Sequence, residues 1–196
     1  MSLDGGSAGS FDDLHCDGYI LRALTLDDAL DLALRRSDPE TARFQSWTVP
    51  YPVERATALI EGQLALGDLM PGEWFQVAIV ATAGEFAGRI VGDIALHLDE
   101  SGRFAQLGYT LHPWARGLGY ATKASATALD YLVTVRGVHR IEASADPRNT
   151  ASTAVLERLG FTLEGIKRES YLVGDEITDD AIYGLLAREW RARNEA

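Results

Sequence analysis

Leu111-His-Pro-Trp-Ala-Arg-Gly-Leu-Gly-Tyr-Ala-Thr122 ends a β-rich run at a proline and opens a helix through a glycine-rich turn. A junction of this kind traps anions. Glycines let the backbone approach a ligand, the first helical N–H groups have no intrahelical acceptor, and the positive end of the helix dipole faces outward. A diphosphate fits that chemistry. From Gly117 and Gly119 alone, an ordinary tight turn is an equal reading.

Upstream of the turn, Trp74 to Val80, Ala87 to His97 and Phe104 to Leu111 are β-rich runs separated by short polar breaks, which predicts an antiparallel meander. Downstream, Ala121, Ala124, Ala128, Leu129 and Leu132 lie on or near one stripe and predict a helix over about Gly119 to Val135. His139 to Ala145, Phe161 to Lys167 and Ile177 to Leu186 read as strands, with a helix over Thr150 to Leu159. Nearer the start, Tyr19 to Leu24 reads as a strand. Thr25 then caps a helix carrying Leu26, Ala29, Leu30, Ala33 and Leu34. Residues 37–52 read as a proline-containing loop, followed by a helix near Val53 to Leu66. A meander followed by strand–helix–strand–helix–strand predicts a mixed α/β (α+β) fold with helices covering a central sheet.

The chain has 196 residues, 46% of them hydrophobic, enough for one substantial core. Residues 18–196 are expected to form a single domain behind a flexible Gly, Ser and Asp-rich leader of residues 1–17 that adds little to the fold. No apolar run approaches the roughly 20 residues that span a bilayer, and the N-terminus lacks a signal-peptide pattern. A cytoplasmic protein without membrane contact is expected. Cys16 is the only cysteine, so no intramolecular disulfide and no cysteine-rich metal site is expected. The formal charge of −11 disfavours nucleic-acid binding and suits cationic substrates, although solubility alone accounts for it.

Arg116-Gly-Leu-Gly-Tyr-Ala121 resembles the Arg/Gln-x-x-Gly-x-Gly/Ala signature of the GNAT acetyltransferases. Gly108-Tyr-Thr-Leu111 and Ala121-Thr122 resemble that superfamily's RimJ/RimL-like branch, the ribosomal-protein N-terminal acetyltransferases. Asp146-Pro-Arg-Asn-Thr-Ala-Ser152, Val155 to Gly165 and Ala181 to Trp190 are similar to further blocks of the branch. The resemblance implies a mostly antiparallel mixed sheet of about seven strands, flanked by helices on both faces, with acetyl-coenzyme A as cosubstrate and no metal. It also implies site residues. The amides of Gly117, Leu118, Gly119, Tyr120, Ala121 and Thr122 would cradle the diphosphate, and Arg116 would add charge there. Asn149 would meet the pantetheine arm, Ser152 would face the sulfur, and a backbone N–H around Tyr109 to Leu111 would meet the oxyanion. Read by themselves, Asn149 and Ser152 suit helix capping better than a ligand role.

The implied reaction passes acetyl to a primary amine by direct attack within a ternary complex. An α-amine, with a pKa of about 8, needs less deprotonation than a lysine at about 10.4. The expected acceptor is therefore a peptide or protein N-terminus. A polyamine or aminoglycoside, or a noncatalytic acyl-coenzyme A-binding module, are the alternatives. Many relatives carry glutamate two residues before the Gly-Tyr pair; here that residue is Gln106, and Lys123 stands where the branch commonly has Glu. Base candidates are His112, His97, Glu142 and Glu164. Among the aromatics Trp47, Tyr51, Trp74 and Trp114, Trp47 and Tyr51 are the better candidates for a substrate-pocket wall, while Trp74 is expected to pack in the core. Gly174 to Asp180 reads first as a solvated hairpin and second as a receiver of cations. An exposed strand edge leaves room for a homodimer.

Overall fold

The computed structural model describes residues 11–194. Eight strands form one sheet: β1 (Leu14–Cys16), β2 (Tyr19–Ala23), β3 (Trp74–Ala81), β4 (Ile90–Leu98), β5 (Phe104–Leu111), β6 (Arg140–Ala145), β7 (Thr162–Val173) and β8 (Glu176–Leu186), in the order β1-β2-β3-β4-β5-β6-β8-β7. Every pairing is antiparallel except β5 with β6. The helices are α1 (Ala29–Ser37), α2 (Pro39–Ala42), α3 (Val53–Leu66), α4 (Tyr120–Asp130), α5 (Thr150–Leu159) and α6 (Ala187–Asn194). No helix among the described residues is long and apolar enough to cross a membrane.

Strand alternation divides the core in two. Phe75, Val77 and Ile79 of β3 join Ala124, Leu129, Leu156 and Trp190 in the larger cluster, beneath α4, α5 and α6. Ala78 and Val80 face the other way and join Leu32, Ala33, Ala56 and Ile60 beneath α1 and α3. The sheet thus carries helices on both faces, as expected.

Several expectations need correction. The sheet has eight strands rather than about seven, because the segment read as a leader supplies one. Leu14 pairs with Leu21, and Phe11, only 6% exposed, packs its ring 5.0 Å from that of Tyr131. Residues 1–10 lie outside the described residues. Leu26 lies in a 3-10 turn before α1, and in α1 the apolar stripe is rotated: Leu30 and Leu34 face solvent with Leu26, while Leu32, Ala33, Arg35 and Arg36 are buried. The long helix read over 119–135 ends at Asp130 and continues as a wider π-helical turn, Tyr131–Val135.

The feature that positions the site is a parting of strands. β4 and β5 stay paired through Gly92↔Leu111, and a Cβ on Gly92 would overlap the Thr110 carbonyl. β5 and β6, by contrast, pair only from Phe104↔Arg140 to Gln106↔Glu142. Beyond Gln106 the two strands separate, and the outward amides of β5 face the opening.

Candidate functional site

The glycine-rich strand–turn–helix junction forms as the sequence implies. Pro113–Ala115 make one short 3-10 turn, after which Gly117 (φ 75°) and Gly119 (φ 84°) reverse the chain in the left-handed region. Lys123 N bonds to Gly119 O at 3.0 Å, so the amides of Tyr120, Ala121 and Thr122 precede the first intrahelical bond of α4. A Cβ on Gly117 would meet open space, and one on Gly119 only the end of Lys123. This is an uncluttered N-terminus with free donors and the dipole's positive end, which suits a diphosphate. Leu118 and Tyr120 also line a hollow with Phe86 and Lys123. Arg116 turns toward α2, its Nη2 2.7 Å from Oγ1 of Thr41.

His112 N bonds to Val91 O at 2.9 Å. By antiparallel alternation the amide of Leu111 therefore points away from β4, toward the side where β5 leaves β6. Across that opening stands the start of α5. Asn149 caps it, with Oδ1 accepting from Ser152 N at 3.2 Å, so the capping reading holds for Asn149. Ser152 does not cap: its Oγ lies 2.9 Å from the hydroxyl of Tyr109, which also donates to Ser152 O at 2.9 Å. Burial pushes the Tyr109 phenol up to about 12, against the opposing pull of Ser152.

Tyr109, Asn149 and Ser152 open onto a cavity of about 230 Å³ that reaches under α1 and the loop after it. Its aromatic walls include Trp47, Trp74 and Tyr171; Gln106, Glu142 and Asp180 lie toward β6 and β8, and Arg36 and Asp93 toward α1. Trp74, expected in the core, is 48% exposed here with its ring 5.1 Å from that of His97. Tyr51, expected on a pocket wall, is instead buried in the smaller core, where its hydroxyl takes a 3.0 Å bond from Arg36. Arg36 also lies 4.7 Å over the Trp47 ring. Asp93 is held by Thr110, by Arg35 at 3.2 Å and by Arg36 at 3.8 Å.

The structure keeps three of the base candidates apart from this cavity. His112 stacks on Trp114 at 4.9 Å and its Nε2 meets Asp31 at 2.9 Å. His97 sits against Trp74, and Glu164 is locked to Arg140 at 2.5 Å, which holds its carboxyl below the usual range. Glu142 does line it. Sequence reasoning missed Asp93, Arg36 and the side chain of Tyr109. The last was legible in principle, since Tyr109 and Leu111 share a strand side two residues apart.

The profile described as acetyltransferase (GNAT) domain matches residues 19–162, well over half of the sequence. The chain belongs to the GNAT acetyltransferase family. It is accordingly an acetyl-coenzyme A-dependent N-acetyltransferase. The uncharacterized N-acetyltransferase p20 of Bacillus licheniformis is 29% identical over 90% of this chain and 97% of its own length. The ribosomal protein uS5-alanine N-acetyltransferase of Escherichia coli is 31% identical over 43% of each chain, so that likeness spans under half of either protein. Among solved structures, spermidine N-acetyltransferase from Vibrio cholerae, in complex with CoA and spermine, superposes with a TM-score of 0.77. It covers 90% of this GNAT chain and 99% of its own, at 18% identity, which is a likeness of fold.

Proposed function

We propose that this GNAT enzyme, of the RimJ/RimL-like branch, acetylates the α-amine of a peptide or protein N-terminus. The carrying observation is that the Tyr109–Ser152 pair lines a cavity where β5 and β6 part, and that the free N-terminus of α4 follows directly on the end of β5. The amides of Gly117 to Thr122 hold the diphosphate of acetyl-coenzyme A, with Arg116 adding positive charge nearby. Asn149 keeps its Nδ2 available for the pantetheine arm while its Oδ1 caps α5. The coenzyme supplies an activated acyl group. The Leu111 amide is a preorganised donor for the carbonyl oxygen as negative charge develops there, and Ser152 donates a hydrogen bond to the departing sulfur.

An α-amine acceptor is supported by its pKa of about 8, which leaves a useful free-base fraction near neutrality. It is also supported by the partial likeness to the uS5-alanine enzyme. Thiol release from acetyl-coenzyme A, measured with N-terminal peptides, polyamines and aminoglycosides, tests the reading. Peptide turnover supports it, turnover of small amines alone replaces the acceptor, and binding without turnover of any amine overturns it.

A further inference from the structure

Four carboxylates line the cavity: Asp93, Glu142, Asp146 and Asp180. Three have guanidinium partners. Asp93 is 3.2 Å from Arg35, Glu142 is 3.5 Å from Arg140, and Asp146 is 2.6 Å from Arg148. Asp180 has no such ion pair among the described residues.

Register explains where Asp180 stands. Ser144↔Ile182 and Ala145↔Ala181 align β6 with β8, so continuing that register sets Asp180 beside Asp146, near the row of Glu142 and Ser144. On its other side it faces Lys167 of β7. Gln106, at the position where a carboxylate is expected, is the Cα partner of Glu142 on the same sheet face. Acidity missing from β5 is thus present on β6 and β8, within the cavity that holds Tyr109 and Ser152.

We infer that Asp180 is the catalytic group that receives the acceptor's ammonium and takes its proton, in place of the carboxylate that Gln106 lacks. The inference rests on the acetyltransferase reading. A carboxylate paired with a guanidinium is stabilised in its charged form and is a weak base, whereas Asp180 has no guanidinium against it. Burial pushes its carboxyl above the usual range and Glu142 and Asp146 add to that push, while a Ser144 hydrogen bond and Lys167 oppose it.

The step balances. An N–H bond of the ammonium breaks as an O–H bond forms on Asp180, freeing the nitrogen lone pair. That pair forms the C–N bond to the thioester carbon, and the C–S bond breaks with its electrons leaving on sulfur. The second proton shed by nitrogen passes to the thiolate, and Asp180 returns its own to solvent.

Asp180→Asn in the full chain is the test, read with two peptides of different N-terminal pKa. We expect kcat to fall about 10²- to 10⁴-fold. In the wild type the acid limb of kcat/KM stays at one pH for both peptides; in Asp180→Asn it follows each amine's own titration. Glu142→Gln removes a neighbouring negative charge and moves the wild-type limb to lower pH. Calorimetry without coenzyme provides a readout independent of turnover, with peptide affinity falling about tenfold in Asp180→Asn. Should that variant fail to fold, Asp180→Glu retains a carboxylate and keeps an acid limb independent of the peptide. A wild-type rate and profile in Asp180→Asn, or a limb in Asp180→Glu that follows the amine, overturns this inference alone. A wild type inert toward every amine overturns the acetyltransferase reading and this inference with it.

Discussion

The Tyr109 hydroxyl lies 2.9 Å from both the Oγ and the carbonyl oxygen of Ser152, joining the end of β5 to the first turn of α5 across the opening between β5 and β6. With its pKa pushed up to about 12, Tyr109 keeps its proton near neutrality and has one hydrogen to give. That hydrogen goes to the Ser152 carbonyl oxygen, so the phenol oxygen accepts from the serine hydroxyl, whose hydrogen turns to the sulfur as negative charge develops there. Ser152→Ala is expected to lower kcat about ten- to a hundredfold with little change in acetyl-coenzyme A affinity, because the lost bond matters most in the transition state. Tyr109→Phe should cost less, and the two losses should be less than additive. Steady-state kinetics with calorimetry checks this; a stability loss of about 1 kcal/mol with normal turnover would assign Ser152 a structural role.

Gly119→Glu should weaken acetyl-coenzyme A binding at least about 100-fold, since it sets an anion before the free amides of α4. Gly119 holds φ 84°, so the new side chain also carries backbone strain. Gly119→Asn separates the two effects, because Asn tolerates that conformation without charge, and binding should stay within about tenfold of wild type. Unchanged affinity in a folded Gly119→Glu removes this turn from the coenzyme site.

Arg35 is fully buried, bridging Asp31 at 2.7 Å and Asp93 at 3.2 Å. Its removal leaves Asp93, itself 2% exposed, without its nearest cation. Arg35→Ala should therefore destabilise the fold by about 3–5 kcal/mol in denaturant titration. A loss below about 1 kcal/mol would mean that Arg36 compensates fully.

The Arg148 guanidinium beside Asp146 holds that carboxyl below the usual carboxylate range. Such a group binds its proton more readily when unfolded. Its contribution is complete above the unfolded value of about 4 and fades as pH falls through the lower folded value. Wild-type stability should thus fall more steeply than that of Arg148→Ala between about pH 5 and pH 2, and the difference between them should shrink toward the acid end. Parallel stability curves across that window would remove the Asp146–Arg148 pair as a source of acid sensitivity.

The sequence by itself determined the period of nearly every element, the strand–turn–helix at Leu111 to Thr122 and the family, because these depend on local spacing and backbone chemistry. Gly117 and Gly119 announce positive φ wherever they fold, and the small residues after them announce a packed helix. Tertiary structure decided the phase of α1. Its run Ala-Leu-Asp-Leu-Ala-Leu-Arg-Arg-Ser offers more than one apolar face, and the sheet beneath presents Asp93, so Arg35 turns inward and Leu30 and Leu34 remain outside. It likewise decided Trp74, left on a cavity wall, and the start of the chain, where Phe11 and β1 gain order only by meeting Tyr131 and β2. Which carboxylates are neutralised was also invisible from spacing. Arg148 reaches Asp146 from two residues away, but Asp180 is left without a guanidinium only because of where β8 lies against β6 and β7. A charge's partner is fixed by distance in space, and distance in space exists only after the sheet has formed.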